Sequence, residues 1–210
     1  MYFSIVKFRL VILSIICFHN IANAQPSGAS SLLSEIIRFE SLSGCELETC
    51  NYLVDWSKKQ GLYVNHFGNA GESTNFMASL YPLEDNKPNI VLTSHLDIVP
   101  VMDVKSWKQP PFSGEIVDDT IWGRGAIDCK GLAVMQLLAI KAFKDSIGDR
   151  DIPYNISFLG VSEEETNSEN GAKKIVDEFL DLINPIVVFG EGGSGLNKVV
   201  PSKPDLNVFG

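Results

Sequence analysis

Several shortages narrow the function of this chain before any motif is considered. Basic side chains are in the minority, 17 Lys and Arg against 26 Asp and Glu for a formal charge of −9, and they form no cluster. Nucleic acid and anionic membranes, which are bound through basic patches, are therefore excluded as expected partners. No apolar run approaches the roughly 20 residues that span a bilayer. There is no internal repeat and no low-complexity linker. Cysteines number four, and three of them (Cys45, Cys50 and Cys129) lie beyond the leader described next. An odd count is not a disulfide framework. If Cys45 and Cys50 share a helix, five residues of rotation set them roughly 140° apart, poor geometry for a bond.

The longest apolar run, residues 10–18, follows Lys7 and Arg9 and precedes Ala22-Asn23-Ala24. This is the three-part layout of a secretory signal peptide cleaved after Ala24. Cys17 follows Ile15-Ile16 rather than a small residue, which argues against lipidation. The expectation is an exported protein, periplasmic or extracellular, with no stable membrane span after cleavage. Loss of Lys7 and Arg9 takes the formal charge from −9 to −11.

The remainder of the 210 residues suffices for one domain with a sizeable core. Residues 30–40 carry Leu32, Leu33, Ile36 and Ile37 at helical spacing. Ser43-Gly44-Cys45-Glu46 reads as a capping box opening a second helix, with Leu47, Cys50 and Val54 on one face and a stop at Gly61. Residues 62–64 and 75–81 are strand-like, joined through Gly68-Asn69-Ala70-Gly71. Residues 131–144 read as a helix with Leu132, Met135, Leu138, Ala139 and Ala142 inward. Strands over 154–159 and 185–189 flank a helix over 171–182. Strands alternating with helices predict an α/β layered domain, a mostly parallel or mixed central sheet flanked by helices. Asp205-Leu206-Asn207-Val208-Phe209-Gly210 reads as the start of a further strand with an unpaired edge.

Residues 90–131 organise the rest. The apolar run Ile90-Val91-Leu92-Thr93 ends in Ser94-His95-Leu96-Asp97, the way a buried strand delivers polar groups to a sheet edge. On an extended backbone His95 and Asp97 point the same way, and an imidazole held by a carboxylate is the usual metal ligand with its orienting partner. Asp128 follows the Gly123-Arg124-Gly125 turn. Two more apolar strands end in acids: residues 154–159 lead to Glu163-Glu164-Glu165, and residues 185–189 lead to Gly190-Glu191-Gly192-Gly193. Sites in α/β sheets gather at the carboxyl ends of strands. Carboxylates that converge there repel unless cations lie between them. The donors are nitrogen and oxygen, which suits zinc, with cobalt or manganese as substitutes. Cys129 reads as a packed thiol beside Asp128, and His66 as a surface or turn residue.

These residues resemble the dinuclear-zinc metallopeptidases and amidohydrolases that include carboxypeptidase S, aminoacylase, carnosinase, glutamate carboxypeptidase and succinyl-diaminopimelate desuccinylase. The matching motifs, in order, are Ser94-His95-Leu96-Asp97, Gly123-Arg124-Gly125-Ala126-Ile127-Asp128-Cys129-Lys130-Gly131, Ser162-Glu163-Glu164-Glu165-Thr166 and Gly190-Glu191-Gly192-Gly193. Trp107, Pro110-Pro111-Phe112-Ser113-Gly114 and Ile121-Trp122-Gly123 lean towards carboxypeptidase S.

The resemblance implies a site for two Zn2+. His95 and Glu191 would bind one ion, Asp128 would bridge both, Glu165 would bind the second, and Asp97 would orient His95. Glu164 would be the general base for hydroxide attack on an amide of a small peptide or N-acyl amino acid. A shifted register, with Glu163 as base and Glu164 as ligand, requires an extra residue downstream. In the family the second zinc takes a further histidine from nearer the C-terminus, beyond a lid and dimerisation domain. The chain is accordingly expected to be the N-terminal portion of the catalytic domain (residues 25–210), with a homodimer possible only in a full-length form. The rival expectation is an inactive remnant that binds at most one metal.

Overall fold

The computed structural model describes residues 28–68, 74–192, 195–197 and 207–209. The leader over residues 1–24, and Asn69, Ala70 and Gly71 of the glycine-rich turn, lie outside them. In chain order come α1 (Gly28–Ile37), α2 (Leu47–Lys59), β1 (Tyr63–His66), β2 (Phe76–Ser79), β3 (Asn89–His95), β4 (Ile116–Val117) and β5 (Thr120–Ile121). They are followed by α3 (Lys130–Ile147), β6 (Asn155–Val161), α4 (Ala172–Ile183), β7 (Pro185–Phe189), β8 (Gly195–Asn197) and β9 (Asn207–Phe209).

The central sheet has five strands in the order β1-β2-β6-β3-β7. Strands β6, β3 and β7 run parallel, while β2 is antiparallel to β6 and β1 to β2. The sheet is thus mixed, with helices on both faces. Period-two alternation sends neighbouring residues to opposite layers. Phe76, Ala78 and Phe158 face a core shared with Leu32, Ile36, Leu53, Val54, Ala133, Leu137 and Ile140 of α1, α2 and α3. Met77, Val91, Leu159 and Val161 face the other way, against Ile175 and Ile183 of α4. Because both faces are covered, the central strands read as nearly continuous apolar runs rather than alternating ones.

Helix α3 corrects one expectation. Its buried residues are Lys130, Ala133, Val134, Gln136, Leu137 and Ile140, whereas Met135 is exposed, as are Ala139 and Ala142. The helix is apolar nearly all round, so two stripes at helical spacing compete. The stripe Ala133-Leu137-Ile140 wins, its small Ala133 packing in the core shared with the sheet. Lys130 is fully buried, and its ammonium donates to the carbonyls of Ile36 (2.9 Å) and Phe39 (2.7 Å), at the C-terminal end of α1. Burial lowers the Lys130 pKa to about 7, and the two hydrogen bonds tie α1 to the start of α3.

Two other readings are revised. The capping box does not form: α2 opens at Leu47 with no side-chain cap, and the Ser43 hydroxyl donates instead to the Asp97 carboxylate at 2.7 Å. A charged acceptor makes the stronger hydrogen bond. The final strand is paired, since Asn207–Phe209 runs antiparallel to Gly195–Asn197. No disulfide joins Cys45 to Cys50, and Cys45 precedes α2. Among the described residues no helix is long and apolar enough to cross a membrane.

Phe158 has no exposed surface and packs its ring against Phe76, 5.5 Å between centroids. Phe158→Ala should destabilise the fold by about 3–5 kcal/mol in urea unfolding. A loss below about 1 kcal/mol would contradict this core assignment.

Candidate metal centre

Because β3, β6 and β7 are parallel, their carboxyl ends lie on one side of the sheet. β3 ends at His95, which is in register with Val161 at the end of β6. The chain after β6 therefore carries Glu163, Glu164 and Glu165 past His95, and Glu191 follows β7 by two residues. Asp128 arrives from the turn before α3. Gly125 in that turn has φ +81°, and a Cβ on it would lie 2.6 Å from the Ile98 side chain. Only glycine permits both the left-handed backbone and this approach. The Asp128–Cys129 peptide is cis.

His95 is the floor of the cluster. Its Nδ1 faces the Asp97 backbone oxygen at 2.9 Å and the Asp97 carboxylate at 3.3 Å. Its Nε2 faces Asp128 at 3.0 Å, Glu191 at 3.1 Å and Glu164 at 3.8 Å. The imidazole is 1% exposed, while the side chains of Asp128, Glu164 and Glu191 are 70%, 49% and 33% exposed. A buried imidazole thus lies beneath carboxylates that remain accessible from solvent.

Candidate ligand atoms fall into two groups sharing His95. One is His95, Asp128, Cys129 and Glu191; the other is His95, Glu164 and Glu165, each set lying within 4.8 Å of one another. All six residues singled out from the sequence (His95, Asp97, Asp128, Glu164, Glu165 and Glu191) meet here. Glu163 belongs to neither group. It turns away, accepting hydrogen bonds from the Asn170 side-chain amide at 2.9 and 3.1 Å. His66 lies on β1, separated from β3 by β2 and β6. Cys129 is buried and its thiol donates to the His95 carbonyl at 3.4 Å.

The electrostatics demand positive charge. Burial works against a proton on His95, but hydrogen bonding to Asp97 and to Cys129, with the negative charge of Glu191 behind them, pushes its pKa up to about 12. Burial raises Glu165, and the Asp128 charge raises it further. Asp97 behaves oppositely. Burial opposes its ionisation, yet hydrogen bonds from His95, Ser43 and the Glu165 and Glu164 amides hold it below the usual carboxylate range. Asp97 is therefore a permanent anion behind the imidazole, the arrangement that orients a metal-binding histidine. The donor set, one imidazole nitrogen and several carboxylate oxygens, fits a divalent cation of the zinc or manganese class.

Three partners were not singled out from the sequence. Ser43 and Glu46 lie in the stretch read as a capping box, where a local explanation concealed a long-range one. Asn75 accepts from the Ser162 amide at 2.9 Å and donates to the Asn170 carbonyl at 2.7 Å, bracketing the acidic loop. It lies in a strand-like segment that gave no signal of this.

Residues 91–203 match Peptidase family M20/M25/M40. The chain belongs to that family. It is 34% identical over 149 residues to a succinyl-diaminopimelate desuccinylase of Orientia tsutsugamushi, covering 70% of this chain and 37% of the relative. An M20 family metallo-carboxypeptidase from Sulfolobus solfataricus superposes with a TM-score of 0.66 at 28% identity, over 81% of this chain and 38% of that one. A Bacillus subtilis protein described as a dinuclear metal-binding peptidase of the M20 family shares the fold, with a TM-score of 0.55 at 17% identity over 77% and 41% of the two chains. The M20/M25/M40 chain thus spans well under half the length of these relatives.

With no ion bound, His95 should carry its proton at pH 8, above the ordinary value of about 6.5. The stability this contributes is fully present below about pH 6.5 and is lost as pH rises towards 12. Nitrogen-15 shifts of the ring, followed against pH in chelator-treated protein, read this directly. A neutral ring at pH 7 would contradict the electrostatic picture.

Proposed function

We propose that this is an exported, zinc-dependent hydrolase cleaving an amide bond in small peptides or N-acyl amino acids. The observation that carries the reading is the convergence of Asp128 and Glu191 on His95 Nε2, with Glu164 and Glu165 completing a second group around the same ring. In this reading His95 and Glu191 would hold one ion and Glu165 a second, with Asp128 available to both. Cobalt or manganese could substitute. When bound, a pair of such ions acidifies water and polarises a carbonyl.

The chain's own residues do the rest. Asp97 keeps Nδ1 of His95 occupied, so that Nε2 presents its lone pair. Glu164, half exposed and within 3.8 Å of His95 Nε2, takes a proton from the attacking water and returns it to the leaving amine. A pocket of about 210 Å³ beside Glu165, lined by Ser43, Ile98, Val99 and Pro100 among others, has room for a small side chain but not for a folded polypeptide. The described relatives support this class. The desuccinylase is named for an N-acyl amino acid substrate, and the Sulfolobus enzyme is called a carboxypeptidase. The lid and dimer contacts of the full-length form belong to the same proposal.

Glu164→Ala should lower turnover of dipeptides and N-acyl amino acids by about 10²- to 10⁴-fold in the full-length form, while zinc content by elemental analysis stays unchanged. Turnover retained in that variant would remove Glu164 from its role. Absence of zinc-dependent hydrolysis by the unmodified protein would remove the assignment altogether.

A further inference from the structure

Glu46 has no exposed surface and lies immediately before α2, yet it does not cap that helix. Its Oε1 accepts from the Gly44 amide at 2.9 Å and, across 117 positions of sequence, from the Glu163 amide at 3.1 Å. The next two amides of that loop, Glu164 and Glu165, donate to Asp97 at 3.1 and 3.0 Å. Three successive N–H groups are thus held by two buried carboxylates. Glu163 itself has φ +58°, a left-handed conformation that side-chain-bearing residues adopt only where their surroundings enforce it. Its own carboxylate is engaged with Asn170. The first acid of the triplet is therefore used to build the loop, and the two that follow face His95.

We infer that Glu46 is a positioning residue for the proposed hydrolysis: its buried carboxylate fixes the backbone at Glu163 so that Glu164 and Glu165 are presented to the His95 centre. The inference rests on the hydrolase reading for its consequence, but the lock itself does not. A carboxylate serving only local structure would spend its oxygens on the α2 amides. Here one oxygen reaches the acidic loop, and the other, Oε2, has no hydrogen-bond partner among the described residues. Burial raises the Glu46 pKa, and the nearby Asp97 charge adds to the effect, as expected of a carboxylate retained in a costly place.

The test compares Glu46→Ala with Glu46→Gln, reading kcat, KM, zinc affinity and amide hydrogen exchange. Gln keeps an acceptor for the Glu163 amide, so it should retain kcat within about threefold. Ala should lower kcat by about tenfold or more with KM little changed. It should also weaken the second zinc by a similar factor and leave the first, at His95, Asp128 and Glu191, unaffected. In the unmodified chain the Glu163 amide should be protected, and Ala should abolish that protection while α3 amides keep theirs. Full kcat and full protection in Glu46→Ala would overturn the inference, as would a freely exchanging Glu163 amide in the unmodified chain. That second measurement decides the matter if the Ala variant does not fold. Absence of turnover with a protected Glu163 amide would sink the hydrolase reading and leave the lock standing.

Discussion

The carboxylate of Asp97 is the point on which the site depends. It is fully buried, and it receives the His95 ring, the Ser43 hydroxyl and the amides of Glu164 and Glu165. Those groups come from the end of β3, the turn before α2 and the loop after β6. One anion therefore sets the orientation of the imidazole and the path of the loop that carries the glutamates. A charge buried this deeply is tolerated only when its lone pairs are filled, and the fold supplies donors on every side. Losing any of them would raise the cost of the charge and release an element of the site.

On the solvent side of His95 the balance is reversed. Asp128, Glu164, Glu165 and Glu191 crowd the ring. Like charges at such spacing cannot all ionise without a counter-charge, so a proton on His95 or a divalent cation must take that place. The paired clusters sharing one histidine favour the cation, because a lone proton neutralises only part of the charge. The parallel run of β6, β3 and β7 makes this arrangement accessible. Three strand ends point to one side: β3 ends in His95 itself, and the loops after β6 and β7 deliver Glu164, Glu165 and Glu191.

Much of this was legible in the sequence, because the informative residues sit at abrupt boundaries. An apolar run that breaks into Ser94-His95-Leu96-Asp97 states both the strand and what it delivers, and the same holds for the acids after β6 and β7. The parallel part of the mixed sheet follows from strands alternating with helices, and β7 matched residue for residue. What stayed hidden were choices settled in three dimensions. The inward face of α3 was ambiguous because the helix is apolar on several sides, and only the fit of Ala133 against the sheet decides it. Ser43 and Glu46 fit a local capping motif, and nothing in their neighbours announces that Asp97 and Glu163 would compete for them. The partner of the final strand was likewise invisible, since Gly195–Asn197 is only three residues long.

The most direct test of the central claim is the anomalous scattering of zinc in crystals grown with it. One peak is expected among His95 Nε2, Asp128 and Glu191, and a second beside Glu165. A well-ordered site in zinc excess, with His95 still protonated among the carboxylates and no peak between them, would contradict it.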